Sequence, residues 1–90
     1  MTFRNYIDGQ WVAARSGRVF ENRNPADRSD LIGLFQESTP EDAADAVAAA
    51  ARAYTSWRVV PAPRRAEILF RAAQLIAERK EDFGRDMTRE

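Results

Sequence analysis

The chain has 90 residues, enough for at most one small domain that buries roughly 60–65% of the surface its unfolded form exposes. Its 14 basic residues balance 14 acidic ones, so no net charge attracts nucleic acid or an anionic membrane, and neither is expected as a partner. Cysteine and histidine are both absent, which excludes disulfides, thiolate zinc sites, a thiolate nucleophile and the commonest general base within this segment. No apolar run approaches a membrane span or a signal peptide, so we expect a cytoplasmic protein.

The first part of the chain, residues 1–37, is predicted to form short strands joined by turns. Asp8-Gly9 stands between β-favouring residues and predicts a hairpin, because a type I′ turn needs positive φ at both central positions. Residues 18–23 alternate with the period of a half-buried strand, and Asn24-Pro25 ends that strand because proline donates no ladder hydrogen bond. The apolar run 31–35 predicts a second, better-buried strand.

Residues 38–90 are predicted to form two helices. Thr39 is a suitable N-cap for the first, Pro40 suits its first position, and two acidic residues follow where they complement the helix dipole. This helix is rich in alanine, which favours close packing against a bulkier element. The second helix begins near Pro63, although Gly84 weakens the prediction that it continues unbroken. It presents one apolar face, formed by Ile68, Leu69, Ala72, Leu75, Ile76, Phe83 and Met87.

The last residues, 82–90, keep an amphipathic pattern to the end of the chain. We therefore expect residues 1–90 to be a single partial domain of an α/β protein, truncated at the C-terminus. In the isolated chain the apolar face is expected to be exposed, which makes the chain marginally stable or self-associating. The residues concerned are Ile68, Leu75, Ile76 and Phe83.

Residues with reactive or ligand-binding chemistry are scarce. The four glycines are isolated from one another, so neither a dinucleotide fingerprint nor a P-loop is present. Trp11 and Trp57 could stack on a base or a ring, but packing against sheet and helix explains them better. A nucleic-acid binder acting through arginine is disfavoured because the arginines are dispersed among carboxylates. Acidic pairs four residues apart could hold a metal or supply an acid, but are better interpreted as exposed helix charges: Glu41 and Asp45, Asp82 and Asp86, Asp86 and Glu90.

Several short motifs nevertheless follow one another in a specific order. They are Tyr6-Ile7-Asp8-Gly9-Gln10-Trp11, Arg23-Asn24-Pro25-Ala26, Leu31-Ile32-Gly33, Ala53-Tyr54-Thr55-Ser56-Trp57-Arg58 and Arg64-Arg65-Ala66-Glu67-Ile68-Leu69. In this order and spacing the whole chain resembles the N-terminus of the aldehyde dehydrogenase superfamily. The sequence of residues 22–27 is most similar to the corresponding sequence in family members that act on semialdehydes.

The resemblance implies a fragment of the Rossmann-like cofactor-binding domain of an enzyme that oxidises an aldehyde to a carboxylate with NAD or NADP. In that family a cysteine thiolate attacks the carbonyl, hydride passes to nicotinamide, and a glutamate activates the water that releases the acid. These groups lie beyond Glu90 in family order. No catalytic, cofactor-binding or metal-binding residue is therefore assigned to this chain, which is expected to bind no cofactor itself.

Some family members hold a structural monovalent cation on backbone carbonyls just before the Asn-Pro step, here Asn22 and Arg23, with help from an acidic residue near Glu90. Because most of these ligands are backbone atoms, this site adds no assigned residue. The expected partner is the remainder of the parent enzyme or a homologous subunit. The alternative is a stand-alone, non-catalytic interaction module that docks on a partner or a full-length homologue.

Overall fold

The computed structural model describes all 90 residues and contains four short strands followed by three helices. This order confirms the predicted α/β class, with antiparallel strands preceding the helices. The elements are β1 (Asn5–Ile7), β2 (Gln10–Val12), β3 (Val19–Arg23), β4 (Leu31–Gln36), α1 (Pro40–Trp57), α2 (Ala62–Glu78) and α3 (Lys80–Arg89).

The first hairpin pairs β1 with β2, as the Asp-Gly step predicts. Asp8 and Gly9 have φ values of 53° and 73°, the left-handed conformation that a type I′ turn requires at both positions. Tyr6 lies opposite Trp11, and their ring centroids are 4.8 Å apart with the ring planes tilted by 51°. Trp11 nevertheless remains 67% exposed, so its packing is limited to this cross-strand contact. Trp57, at the end of α1, is 40% exposed.

The second hairpin pairs β3 with β4, and the N-terminus of the chain lies along the other side of β4. Phe20 is opposite Phe35 in the β3–β4 register. The amide of Phe3 donates to the Leu34 carbonyl at 2.8 Å, and the Leu34 amide donates to the Met1 carbonyl at 3.0 Å. The Phe3 ring stacks on Phe35 at 4.7 Å. Strand β4 therefore has backbone hydrogen-bond partners on both of its edges.

Helix α1 begins where the sequence predicts. The Thr39 hydroxyl accepts a hydrogen bond from the Asp42 amide at 3.3 Å, and the Asp42 carboxylate accepts from the Thr39 amide at 2.7 Å, which completes a capping box. Asp42 is only 6% exposed and also accepts from the Arg15 amide at 3.1 Å. These donors, led by the Thr39 amide, lower the pKa of the Asp42 carboxyl. Asp42 therefore joins α1 to the loop after β2, a role beyond the predicted dipole interaction.

The second helical stretch is divided in two, where the sequence predicts one helix. Helix α2 ends at Glu78 and α3 begins at Lys80, because Arg79 departs from helical geometry with φ −104° and ψ 18°. No glycine or proline marks this position, whereas Gly84 lies inside α3. The bend turns α3 towards the β3–β4 hairpin, where Arg89 forms an ion pair. A contact so distant in sequence is not encoded in helical periodicity.

The interior of the chain is thin. Four residues are buried, namely Ala14, Gly33, Asp42 and Ala49. The accessible surface is 7374 Å², whereas a monomer of this mass exposes about 5,300 Å². The radius of gyration is 16.7 Å, against about 12 Å for a compact domain of this length. Alanine residues of α1 pack under the first hairpin, but α2 and α3 lie largely uncovered.

Candidate functional site

The acidic pairs singled out in the sequence do not form a metal site. Asp45 pairs with Arg15 at 2.6 Å, and Asp82 pairs with Arg85 at 3.6 Å. Nowhere in the chain do three or more acidic side chains come close enough to hold a metal ion. Asp45 and Asp82 thus act as ordinary surface ion-pair partners, whereas Glu41, Asp86 and Glu90 form no ion pair within 4.0 Å.

The glycines likewise build no phosphate cradle. Gly9 and Gly17 lie in turns with positive φ, Gly33 lies within β4 and Gly84 within α3. A cradle for pyrophosphate needs glycine at a strand-to-helix turn, yet the connection from β4 to α1, residues 37–39, contains none. The residues of this chain therefore do not by themselves fit a nicotinamide nucleotide. No helix of the chain is both long and apolar enough to cross a membrane.

A polar cluster fastens the end of α3 to the loop between β3 and β4. Arg89 donates two hydrogen bonds to the Asp30 carboxylate, at 2.6 and 2.9 Å, and Asn24 donates to the same carboxylate at 3.3 Å. These donors, Arg89 first, lower the pKa of the Asp30 carboxyl. Beside them the Asn22 side-chain amide donates to the Glu90 carboxylate at 3.3 Å. We call the trio Asn24, Asp30 and Arg89 the α3 anchor.

The structure thus brings Asn22 and Glu90 together, two of the residues near the cation site that the family resemblance implies. A bulge in the β3–β4 pairing falls between Asn22 and Arg23. Such a bulge locally removes backbone groups from the ladder. The α3 anchor itself was not predicted, because its ion pair joins residues 59 positions apart and no local pattern signals such a pair.

An apolar groove opens between β4 and α3, beside the α3 anchor. It has a volume of about 560 Å³ and is open to solvent, and we call it the β4–α3 groove. Its apolar wall consists of Phe3, Ile32, Phe35, Ile76, Phe83 and Met87, while Asp86, Arg89 and Glu90 contribute the polar part. Three of the apolar residues belong to the helical face predicted from the sequence: Ile76, Phe83 and Met87.

The predicted exposure of that helical face is largely confirmed. Ile68, Ile76 and Phe83 are 43%, 58% and 44% exposed, whereas Leu75 is half-buried. A second groove of about 550 Å³ lies on the other side of Ile76, Phe83 and Met87. The exposed apolar side chains of these two grooves offer an apolar surface.

Comparison with known proteins agrees with these features. A sequence profile described as "Aldehyde dehydrogenase family" matches residues 11–90. The chain is 46% identical over 90 residues to the malonate-semialdehyde dehydrogenase of Lacticaseibacillus casei, covering 99% of this chain and 18% of the relative. It is 39% identical over 89 residues to the alpha-ketoglutaric semialdehyde dehydrogenase of Bacillus subtilis, again covering 99% and 18%.

A third relative gives a similar match. The alpha-ketoglutarate semialdehyde dehydrogenase of Haloferax volcanii is 40% identical over 87 residues, covering 97% of this chain and 18% of the relative. The chain therefore spans less than one fifth of the length of these relatives. The resemblance seen in the motifs, including the similarity to semialdehyde dehydrogenases, is confirmed. Since the family profile extends over residues 11–90, the chain belongs to the aldehyde dehydrogenase family.

Proposed function

We propose that this chain is the N-terminal structural segment of an NAD(P)-dependent semialdehyde dehydrogenase and that it has no catalytic activity alone. The observation that carries this proposal is the excess of exposed surface, 7374 Å² against about 5,300 Å² for a compact monomer. The coverage of 18% of the relatives' length supports it, because the rest of such an enzyme supplies ample chain to cover that surface.

The proposed substrate class is a small semialdehyde that carries a carboxylate. This follows from the names of the similar proteins, which include malonate-semialdehyde and alpha-ketoglutaric semialdehyde dehydrogenases. A nicotinamide cofactor bound elsewhere in the parent enzyme would supply the hydride acceptor for this oxidation. The thiolate, the base and the nucleotide cradle would all come from other parts of that enzyme, since this chain has no cysteine, no histidine and no glycine-containing strand-to-helix turn.

The contribution of this segment would be to position helices. The capping box at Thr39 and Asp42 fixes the start of α1, and the Arg15 amide joins that start to the strands. The α3 anchor fixes the other end of the helical part. Together these contacts tie the start of α1 and the end of α3 to the strands although few side chains are buried.

A chimera tests the proposal. Residues 1–90 replace the matched 90-residue segment of the Lacticaseibacillus casei malonate-semialdehyde dehydrogenase, and reduction of NAD or NADP is followed with malonate semialdehyde. The controls are the same enzyme without any such segment and the isolated 90-residue chain. We expect a soluble, active chimera and no activity in either control.

Other outcomes point elsewhere. Aldehyde oxidation by the isolated chain would contradict the absence of catalytic groups. An inactive chimera, combined with binding of the isolated chain to the intact relative, would instead support the stand-alone interaction module. The partial-domain organisation of residues 1–90 and the cytoplasmic location stay predictions.

A further inference from the structure

We propose that Asp8 is a site of spontaneous covalent modification, at which the chain passes through a succinimide and becomes an isoaspartate that opens the first hairpin. The chemistry lies in the Asp8-Gly9 step alone and is independent of the proposed function. Water is the only other reactant, and no enzyme takes part.

The reaction joins the side chain of Asp8 to the backbone of the next residue. The amide nitrogen of Gly9 attacks the Cγ atom of Asp8, so that an N–C bond forms and a C–O bond breaks. The carboxyl OH leaves as water together with the amide proton, which closes the succinimide ring. Water then adds to either ring carbonyl. Opening at Cγ restores aspartate, whereas opening at the backbone carbonyl leaves the chain running through Cβ and Cγ, with the α-carboxylate free.

The attacking nitrogen of Gly9 is unobstructed. Glycine has no side chain beside its amide, and even an added Cβ atom would meet nothing within 4 Å. The Gly9 amide donates to no backbone carbonyl, because it lies in the turn beyond the last ladder pair. No backbone hydrogen bond therefore has to be broken to free this nitrogen.

The Asp8 side chain is also free to react. It is 74% exposed, and its only ion pair is a long contact with Arg52 at 3.9 Å. An exposed pair of this kind contributes little, so it does not hold the carboxyl group away from the backbone. Solvent water has direct access to the same group.

The ring closes only when the Asp8-Gly9 peptide rotates out of its turn, and the first hairpin allows this rotation. Each strand has three residues, the sheet has two strands, and every residue of β2 is exposed. A hairpin of two strands is marginally stable and opens locally at low cost. Asp8 also has a φ of 53°, which is disfavoured for a residue with a Cβ atom. A cavity of about 340 Å³ between the turn and the alanines of α1 leaves space for the movement.

No other residue of the chain combines these features. No asparagine and no other aspartate precedes a glycine. The hydroxyl and amide of Ser29 bind the Asp27 carboxylate. Arg89 binds the Asp30 carboxylate, and Asp42 belongs to the capping box. The remaining aspartates lie within helices, where the amide that follows each of them is held by helical hydrogen bonds: Asp45, Asp82 and Asp86.

The product is incompatible with the first hairpin. A type I′ turn joins the strands through two residues with positive φ, whereas isoaspartate lengthens the backbone by its Cβ atom. The cross-strand contact of Tyr6 with Trp11, with ring centroids 4.8 Å apart, depends on that turn. The capping box of Thr39 and Asp42 does not. Modification of Asp8 therefore opens the first hairpin and leaves the start of α1 in place.

The test ages the purified 90-residue chain at neutral pH in H₂¹⁸O. Protein L-isoaspartyl methyltransferase then transfers a labelled methyl group to the free α-carboxylate, and peptide mapping by mass spectrometry locates both the methyl group and ¹⁸O. We expect both labels at Asp8, accumulating at least about tenfold faster than at any other aspartate.

Two variants that tolerate the turn make the comparison specific. Asp8→Asn retains a residue that adopts positive φ and forms the same succinimide with ammonia as the leaving group, so isoaspartate should accumulate faster. Gly9→Asn also tolerates positive φ but places a side chain beside the attacking nitrogen, and should lower the rate by about tenfold or more. Opening of the hairpin in Gly9→Asn would raise the rate, so a lower rate cannot result from unfolding.

NMR of the aged chain reads out the structural consequence. The modified fraction should lose the nuclear Overhauser contacts between Tyr6 and Trp11 and keep those between Thr39 and Asp42. Absence of isoaspartate at Asp8, equal labelling of the other aspartates, or an unchanged rate in Gly9→Asn would each overturn the inference. A modified chain that retains the Tyr6–Trp11 contacts would overturn its structural part.

Discussion

Replacing Gly33 with alanine should detach the N-terminal residues from β4. A Cβ atom at this position would lie 2.5 Å from Cε2 of Phe3, 2.9 Å from its Cδ2 and 3.2 Å from the Met1 carbonyl oxygen. The first two distances are shorter than any van der Waals contact, so the Phe3 ring must move. The ring is stacked on Phe35 at 4.7 Å, and its movement therefore also breaks that contact.

The size of the effect follows from these contacts. Overpacking of a filled site costs about 1–3 kcal/mol. Weakening the Phe3–Phe35 stack adds some fraction of the about 0.5–1.5 kcal/mol that such a pair contributes. Alanine also lowers the conformational entropy of the unfolded chain, which offsets about 0.4–1 kcal/mol of this destabilisation. We expect the pairing of Met1 and Phe3 with Leu34 to weaken by about 1–2 kcal/mol, or about 5- to 30-fold in the population of the detached form.

Amide hydrogen exchange of the ¹⁵N-labelled chain measures this directly. The Leu34 amide donates to Met1 rather than to β3, so its exchange reports the N-terminal pairing alone. Gly84→Ala is the matched control, because a Cβ there meets nothing within 4 Å. In that variant we expect unchanged exchange at Leu34 and a helix α3 stabilised by about 0.5–1 kcal/mol.

Two results would refute the reasoning. One is equal protection of the Leu34 amide in the parent chain and in Gly33→Ala, which would mean that the N-terminus does not lie over Gly33. The other is an accelerated Leu34 amide in Gly84→Ala, which would mean that the effect reflects general destabilisation. Unchanged amides within the β3–β4 ladder serve as the internal reference.

Three further outcomes are expected. Thr39→Ala removes the helix cap and should destabilise α1 by about 1 kcal/mol, seen as reduced helicity by circular dichroism, while Thr39→Ser retains it. Gly9→Ala should cost about 1–2 kcal/mol because φ is positive there, measured by loss of cross-strand nuclear Overhauser contacts in the first hairpin. The folded pKa of Asp30 lies below its ordinary value of 3.8, so its pairing stabilises the fold above that pH and is lost as the pH falls through the folded pKa. An NMR titration of the Asp30 carboxyl should show a pKa below its ordinary value, and this pKa should rise in Arg89→Ala.

The sequence alone was sufficient for features determined by neighbouring residues. Asp8-Gly9 requires a turn with two positive φ values, and the turn forms there. Thr39 followed by Pro40 and acidic residues starts a helix at Pro40. Each depends on backbone geometry and hydrogen bonds within a few positions, so a short pattern contains all the information needed.

Features formed across long separations could not be predicted in this way. Nothing near Arg79 marks the division between α2 and α3, and Asp30 carries no sign of its ion pair with Arg89, 59 residues away. Asp42 shows both cases, because its capping role follows from Thr39 while its bond to the Arg15 amide depends on the loop after β2. Such contacts depend on how the elements meet, which periodicity does not determine.

The apolar face of α2 and α3 combines a local feature, its helical spacing, with a long-range one, its burial. Its spacing identified Ile76 and Phe83 as residues to be covered, yet this chain leaves them 58% and 44% exposed. A sequence whose pattern specifies more burial than its own elements provide has an unmet packing requirement. The α3 anchor orients that face although it adds little apolar contact of its own. The orientation of the exposed surface is thus set within the segment, whereas the segment's own elements do not bury it.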